Sequence, residues 1–279
     1  MMASAYLLVA HGSQDPHYQV AVTSLVQQVS NHFQTTFQTT HQPTNQPTNR
    51  ATNQPTLVGS ACLELTPTPL HEQILAFATL AGQAGIGQIN LLPLFLLPGV
   101  HVTQDIPHQV DLARQGLQAQ PSATQLGTIV PPSAIKLNLL PHLGECPQLV
   151  QVLASPASLS VPGSQAIGKI LLSHGSRRPG SNQPVERLAQ ELGAIAAYWS
   201  VHPDLETQLH VLVQQGCSKI EVLPYVLFAG SLTTTITHRI EQLRQQFPHL
   251  EIALAPPIAA HPQLTLLLSD WLLAVSFEL

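Results

Sequence analysis

Two histidines in this chain follow short apolar runs. That position lets a side chain project past the end of a buried strand. His11 comes after Tyr6–Ala10 and leads into Gly12 and Ser13. Glycine lets the backbone approach a ligand closely, and serine can cap a following helix whose free N–H groups suit an anion. His101 comes after Leu97-Pro98-Gly99, beyond a second apolar run, and leads into Val102-Thr103-Gln104-Asp105-Ile106-Pro107. Between them Glu64 closes the run Leu57–Leu63 and is one of few acids in this half. Taken alone, Glu64 reads equally as a helix cap or a solvated carboxylate. Taken together, His11, Glu64 and His101 form an N/N/O set suited to a borderline divalent metal, with coordination positions to spare. A neutral imidazole near pH 7 can bind a metal or accept a proton, though not with one lone pair at once.

For these residues to meet, the runs before them must lie side by side. Tyr6–Ala10, Leu57–Leu63, Ile89–Leu97 and Leu126–Val130 read as strands, apolar throughout rather than alternating, as in a parallel sheet covered on both faces. Val20, Leu25, Val29 and Phe33 share one helical face, as do Leu70, Ile74, Phe77, Ala78 and Ala81; Ile106–Leu117 and Leu149–Leu153 read as later helices. This alternation predicts a doubly wound α/β unit, in which ligands bind off the carboxyl ends of strands.

The unit occurs twice. His11-Gly-Ser-Gln-Asp-Pro16 recurs as His174-Gly-Ser-Arg-Arg-Pro179, again after an apolar run, Ile170–Ser173. The stretch 85–99 aligns without gaps on 216–230, with Gly85, Ile89, Leu92, Pro93, Leu96 and Gly99 recurring in place. Pro131-Pro132 echoes Pro256-Pro257, and Pro147-Gln148-Leu149 echoes Pro262-Gln263-Leu264. The expected organisation is two tandem homologous doubly wound domains, each a small mainly parallel sheet flanked by helices. The first spans 1–153 and the second 165–279, joined by a Ser/Pro-rich linker at 154–164. Residues 34–56 repeat His-Gln-Pro-Thr and Asn-Gln-Pro-Thr without apolar periodicity. They read as a disordered insertion that cannot offset its own ordering entropy.

Composition narrows the function. Charged residues make up 9% of the chain, with ten Lys and Arg and a net charge of −5, which argues against nucleic acid and against a polybasic membrane surface. The apolar start is too short for a signal peptide, and no window approaches ~18 uninterrupted apolar residues, so no membrane helix is expected. Cys62, Cys146 and Cys217 are widely spaced and form no CxxC, which suggests reduced thiols in a cytoplasm.

The strand–His11-Gly12-Ser13 start, Leu63-Glu64-Leu65, and Pro93-Leu-Phe-Leu-Leu-Pro-Gly-Val-His101 with Asp105-Ile106-Pro107 resemble the class II chelatases that act on sirohydrochlorin, the CbiX/SirB-type enzymes, in their two-domain long form. The resemblance covers nearly the whole chain outside 34–56 and the linker. It implies a lyase that inserts Fe2+ or Co2+ into the sirohydrochlorin macrocycle, for siroheme or cobalamin. There the divalent metal is a substrate and no cofactor is permanently bound. It further implies that His11 and His101 hold the metal, that His11 also takes pyrrole protons, and that Glu64 assists through metal or macrocycle; read from the residues alone, the two histidines can divide metal binding and proton acceptance either way. Ser13 and the loop Leu96, Leu97, Pro98, Gly99 and Val100 would line the tetrapyrrole.

The second half departs from this pattern. His174 keeps its place, but Leu232 stands opposite His101, Ile236 opposite Asp105, and Trp199 falls opposite Glu64. A degenerate C-terminal site is expected, closing over the substrate, with Arg177 and Arg178 beside a helix start and able to meet its carboxylates. The chain is expected to act as a monomer, its two halves forming the cleft. A histidine phosphatase would place Arg before its histidine, whereas Ala10 and Ser173 stand there; a serine hydrolase would need Gly-x-Ser-x-Gly, which does not occur. The remaining alternative is a metal or tetrapyrrole carrier that uses the same residues without turnover.

Overall fold

The computed structural model describes residues 4–39, 56–119, 130–154 and 167–277. It divides into two compact units, one of residues 1–146 with 265–279, the other of residues 147–264. Each carries a four-stranded sheet in which every pairing is parallel.

In the first unit the strands are β1 (Ala5–Ala10), β2 (Leu57–Cys62), β3 (Gln88–Pro93) and β4 (Lys136–Leu139), in spatial order β2-β1-β3-β4. All six β1 residues are buried, which is why this strand reads as continuously apolar: it is covered on both faces. Ala5, Leu7 and Val9 join Leu70, Ile74, Phe77, Ala78 and Ala81 of α2 (Leu70–Gln83) and Ile106, Val110 and Ala113 of α3 (Ile106–Ala119) in one core. From the alternate positions Tyr6 stacks on Phe33 of α1 (Pro16–Thr39), ring centroids 5.1 Å apart. The chain runs from β1 outward to β2, then crosses back past β1 to β3. That reversal creates a topological switch point between β1 and β3, where parallel α/β sheets open a crevice off their strand ends.

The second unit repeats this plan with β5 (Ile167–Ser173), β6 (Ile195–Tyr198), β7 (Lys219–Pro224) and β8 (Glu251–Leu254) in order β6-β5-β7-β8. Between its strands run α5 (Gln183–Glu191), α6 (Leu205–Gln214) and α7 (Ser231–Gln246). Two tandem α/β units with parallel sheets are thus as the sequence predicts.

The last helix of each half does not stay with its own half. The short helix α4 (Leu149–Ala154) belongs to the second unit, where Val152 and Leu153 border a small cavity with Leu223, Ala255 and Ile258. Nearly all of α8 (Leu264–Phe277) belongs to the first: Thr265 donates to Gln28 of α1 at 2.7 Å, and Ser276 hydrogen-bonds the Tyr6 phenol. Burial pushes the Tyr6 phenol above its ordinary pKa, so it stays protonated under this helix.

Several sequence expectations are corrected. The expected strand Leu126–Val130 falls almost wholly on residues outside those described, and the fourth strand is Lys136–Leu139. Pro131-Pro132 therefore precedes β4 whereas Pro256-Pro257 follows β8, so Pro141 is the true counterpart of Pro256. The third strand stops at Pro93 rather than Leu97, because Leu94 donates a last bond to the Val9 carbonyl and the chain then leaves the sheet. Residues 34–39, expected in the insertion, continue α1, with Gln34 and Thr35 exposed; 40–55 lie outside the described residues. Val20 is exposed and Val22, two residues on and about 200° round the helix, is in the core instead. Most of the linker, from 155 onward, also lies outside the described residues.

The position of α8 has a measurable consequence. Trp271 is buried on it, so Trp271→Ala should cost about 3–5 kcal/mol. Amide exchange should then quicken in β1 and α1. Loss of protection confined to β5–β8 would contradict the assignment of α8 to the first unit.

Candidate metal centre

The ladder that pairs β1 with β2 continues past both strands. Leu63 N–H donates to the Ala10 carbonyl and Glu64 N–H to the His11 carbonyl, each at 2.9 Å. His11 and Glu64 are thereby fixed side by side. The next residue must be glycine: Gly12 has φ 102°, and a Cβ there would lie 1.9 Å from the Glu64 carbonyl oxygen. Tyr18 of α1 holds this turn from behind through hydrogen bonds to the backbone at Gly12 and His11, its phenol pushed up in pKa by burial. Ser13 is half-buried, and its hydroxyl accepts the Asp15 N–H at 3.0 Å, which shapes the entry to α1.

His101 arrives from the other side. Beyond β3 the loop Phe95–Val100 is anchored by Gly144, whose N–H donates to the Phe95 carbonyl at 2.9 Å. A Cβ on Gly144 would meet the Leu96 oxygen at 2.0 Å. The loop ends in one turn of π-helix, His101–Asp105, in which Ile106 N–H bonds the His101 carbonyl. Such wide turns recur at functional sites. Here it brings Asp105 Oδ2 to 2.8 Å from His101 Nδ1.

The three side chains converge. His11 Nε2 lies 3.9 Å from Glu64 Oε2, and His101 Nδ1 lies 3.9 Å from Glu64 Oε1. The imidazole centroids are 5.0 Å apart with planes at 80°. One ligand atom from each residue falls within 4.8 Å of the other two. Nitrogen ligands bound at ~2.0–2.1 Å in a tetrahedral shell stand about 3.3 Å apart. The trio is therefore slightly wide and closes on an ion with small rotations.

On each ring Nδ1 has a partner besides the cluster, and for His101 it is the same atom that lies 3.9 Å from Glu64. His11 Nδ1 lies 3.1 Å from the Gly12 carbonyl and His101 Nδ1 faces the Asp105 carboxylate. Donation from both Nδ1 atoms leaves Nε2 with the lone pair on each ring, the tautomer a metal requires. Phe95 backs both rings, 6.2 Å from His11 and 6.1 Å from His101. The side chains are 44%, 49% and 35% exposed for His11, Glu64 and His101. Glu64 is thus open to solvent rather than buried, and an ion has a short route in and out. The neighbouring Cys62 does not compete: burial raises its thiol pKa, and only the thiolate is a strong ligand.

Leu96, Leu97 and Val100 are half-buried in the loop before His101, and Pro98 and Gly99 are exposed. Asp105 and Phe95 enter the sequence reading only as members of the quoted motifs, with no role assigned to either. The spacing of four between His101 and Asp105 could have flagged the pair, whereas nothing local marks Phe95.

In the second unit the same ladder bonds recur as Trp199 N–H to the Ser173 carbonyl and Ser200 N–H to the His174 carbonyl, each at 2.9 Å. Ser200, one residue beyond the expected Trp199, is therefore the counterpart of Glu64. Leu232 packs against the apolar core and Ile236 is buried within it. Of the expected donors only His174 remains, exposed at its strand end, with Arg177 and Arg178 exposed beyond it. Among the described residues, the His11–Glu64–His101 trio is the one cluster able to hold a metal.

Two imidazoles and a carboxylate at the switch point of a parallel α/β unit could hold a metal ion, and comparison with known proteins assigns the chain to a family. A sequence model of the CbiX family matches residues 5–158 and 168–273, and the chain belongs to that family. It is 22% identical over 194 residues to the sirohydrochlorin cobaltochelatase of Priestia megaterium, covering 67% of this chain and 60% of that protein. It is 26% identical over 177 residues to the sirohydrochlorin ferrochelatase of the same organism, covering 59% and 61% respectively. The matches thus span about three fifths of each of these relatives. The fold also matches the structure of SirB from Bacillus subtilis with Fe3+, with a TM-score of 0.69 over 98% of this chain and 96% of that one, at 18% identity.

Two substitutions test the geometry. Gly12→Ala should displace the Glu64 carbonyl, lower stability by more than about 1 kcal/mol and abolish the Co2+ absorption bands of the site. Asp105→Asn should leave the fold intact and weaken Co2+ binding by about 10–100-fold, read by titration of the same bands. Unchanged affinity would show that Asp105 does not orient His101.

Proposed function

We propose that this chain is a sirohydrochlorin chelatase, a lyase that inserts Fe2+ or Co2+ into the macrocycle, with His11, Glu64 and His101 as its catalytic and metal-holding residues. The observation that carries this reading is the convergence of two imidazoles and one carboxylate, all partly exposed, beyond the ends of parallel strands. Three protein ligands leave coordination positions free, which suits an ion that is delivered rather than stored. Membership of the CbiX family and the names of the two Priestia megaterium relatives agree with it.

Insertion exchanges protein ligands for four macrocycle nitrogens and releases two pyrrole protons. Half-exposed ligands on flexible side chains bind weakly enough to be displaced one at a time. As an ion leaves His11, its Nε2 lone pair becomes free and can take a pyrrole proton. The Glu64 carboxylate, 3.9 Å away, is placed to stabilise the imidazolium that results or to pass the second proton to water. His101, braced by Asp105, is the steadier ligand and the last to let go. The donor set suits Co2+ and Fe2+ alike, with Ni2+ and Zn2+ also able to enter.

Ser13 and the loop Leu96–Val100 flank the trio and are assigned to the tetrapyrrole. His174, Arg177 and Arg178, exposed on the second unit, are assigned to its carboxylates. None of the three cysteines is in a disulfide, which suits a reducing cytoplasm. No described helix is long and apolar enough to cross a membrane.

Anaerobic insertion of Fe2+ or Co2+ into sirohydrochlorin, followed by absorbance, tests the proposal. Wild type should turn over many times. His11→Ala or His101→Ala should lower kcat at least about 100-fold, the scale of a lost acid–base group, while His174→Ala should chiefly raise KM. Stoichiometric uptake without turnover would replace the enzyme with a carrier, and equal loss from all three variants would overturn the single-site assignment.

A further inference from the structure

Among the described residues, Leu65 is the one non-glycine residue with positive φ, at 56°, and it is also 56% exposed. A branched aliphatic side chain is poorly suited to either condition. Left-handed backbone favours Gly or Asn, and a large apolar group in water forgoes its burial. Leu65 directly follows Glu64, so both features sit at the rim of the metal cluster.

The conformation follows from the turn itself. The Glu64 carbonyl is turned in against Gly12, within 1.9 Å of where a Cβ would stand, and the peptide that carries it leads straight into Leu65. In the second unit the matching residue after Ser200 is Val201, which takes no positive φ. Its Cγ2 folds back to 2.8 Å from the Cβ position of Gly175. The unit that lacks the donor set thus tucks this side chain onto its own turn, whereas in the unit that has the set it is exposed, one residue after Glu64.

We infer that Leu65 is an apolar contact for the face of the macrocycle as it settles over the metal. The inference rests on the chelatase reading, since a flat, largely apolar ring brought over His11, Glu64 and His101 is the occupant that reading supplies. Covering the leucine recovers the burial it lacks in the free protein. Leu65 therefore contributes to tetrapyrrole affinity and takes no part in holding the ion.

Leu65→Gly and Leu65→Asn separate these roles, because both residues accept the left-handed turn and neither offers the apolar side chain. Three quantities are read on the full chain: the thermal midpoint, Co2+ affinity from its absorption bands, and sirohydrochlorin affinity by anaerobic absorbance titration. The expected result is an unchanged or raised midpoint, Co2+ affinity within about twofold, and sirohydrochlorin binding weakened about tenfold, the scale for uncovering part of one leucine. Sirohydrochlorin affinity equal to wild type in both variants would overturn the contact. Loss of Co2+ and tetrapyrrole binding together would overturn it too, by showing that Leu65 acts through Glu64. A wild-type protein that binds no tetrapyrrole would instead contradict the chelatase reading itself.

Discussion

Parallel pairing of β1 with both β2 and β3 is the constraint on which the rest of the first unit depends. A metal site needs donor atoms within a few ångströms of one another, and these donors come from positions as far apart as 11, 64 and 101. The sheet register solves this, because it aligns Val9 with Ala61 and Pro93 and so brings three strand ends to one level. The two bonds beyond the strands, at Ala10 and His11, carry that register one step further into the loops. Without them Glu64 would sit on a free tether. Gly12 is the residue that lets the two backbones approach so closely, and Gly144 plays the same part beneath the loop that delivers His101.

The second unit shows how much of this is scaffold and how much is site. It has the same strand order, the same bonds after β5 and β6, and the same glycine-turned loop. Its donors are gone: Ser200, Leu232 and Ile236 stand where Glu64, His101 and Asp105 stand in the first. Ile236 is buried, and Leu232 packs against the core that encloses it. One framework therefore supports a polar, half-exposed crevice in one unit and an apolar packing in the other, decided by three positions.

Much of this was legible in the sequence, for identifiable reasons. A histidine directly after a run buried on both faces must emerge at a strand end, which places His11 and His174; His101 instead stands eight residues beyond β3, at the end of a loop. The internal repeat placed Leu232 and Ile236 correctly because no gap intervenes between the matched glycines. Failures arose where position is set by contacts remote in sequence. Ser200 rather than Trp199 faces His174 because a ladder bond, not residue counting, fixes the register. The fourth strand lies at Lys136–Leu139 because Lys136 and Leu140 bond to the Gly87 and Leu91 carbonyls, a pairing no local pattern announces. Likewise, the placing of α8 with the first unit rests on its partners Gln28 and Tyr6, and the left-handed turn at Leu65 rests on the Glu64 carbonyl. Neither leaves a signature in composition or period.

The central claim is that one ion binds per chain, held by two imidazoles and a carboxylate in the first unit. X-ray absorption at the cobalt edge of the Co2+-loaded protein tests it most directly, with stoichiometry measured on the same sample. The account predicts a single ion per chain whose shell shows imidazole scattering with all remaining ligands oxygen, and no ordered site once both His11 and His101 are replaced by alanine. Two ions per chain, or a sulfur ligand in the shell, would contradict it.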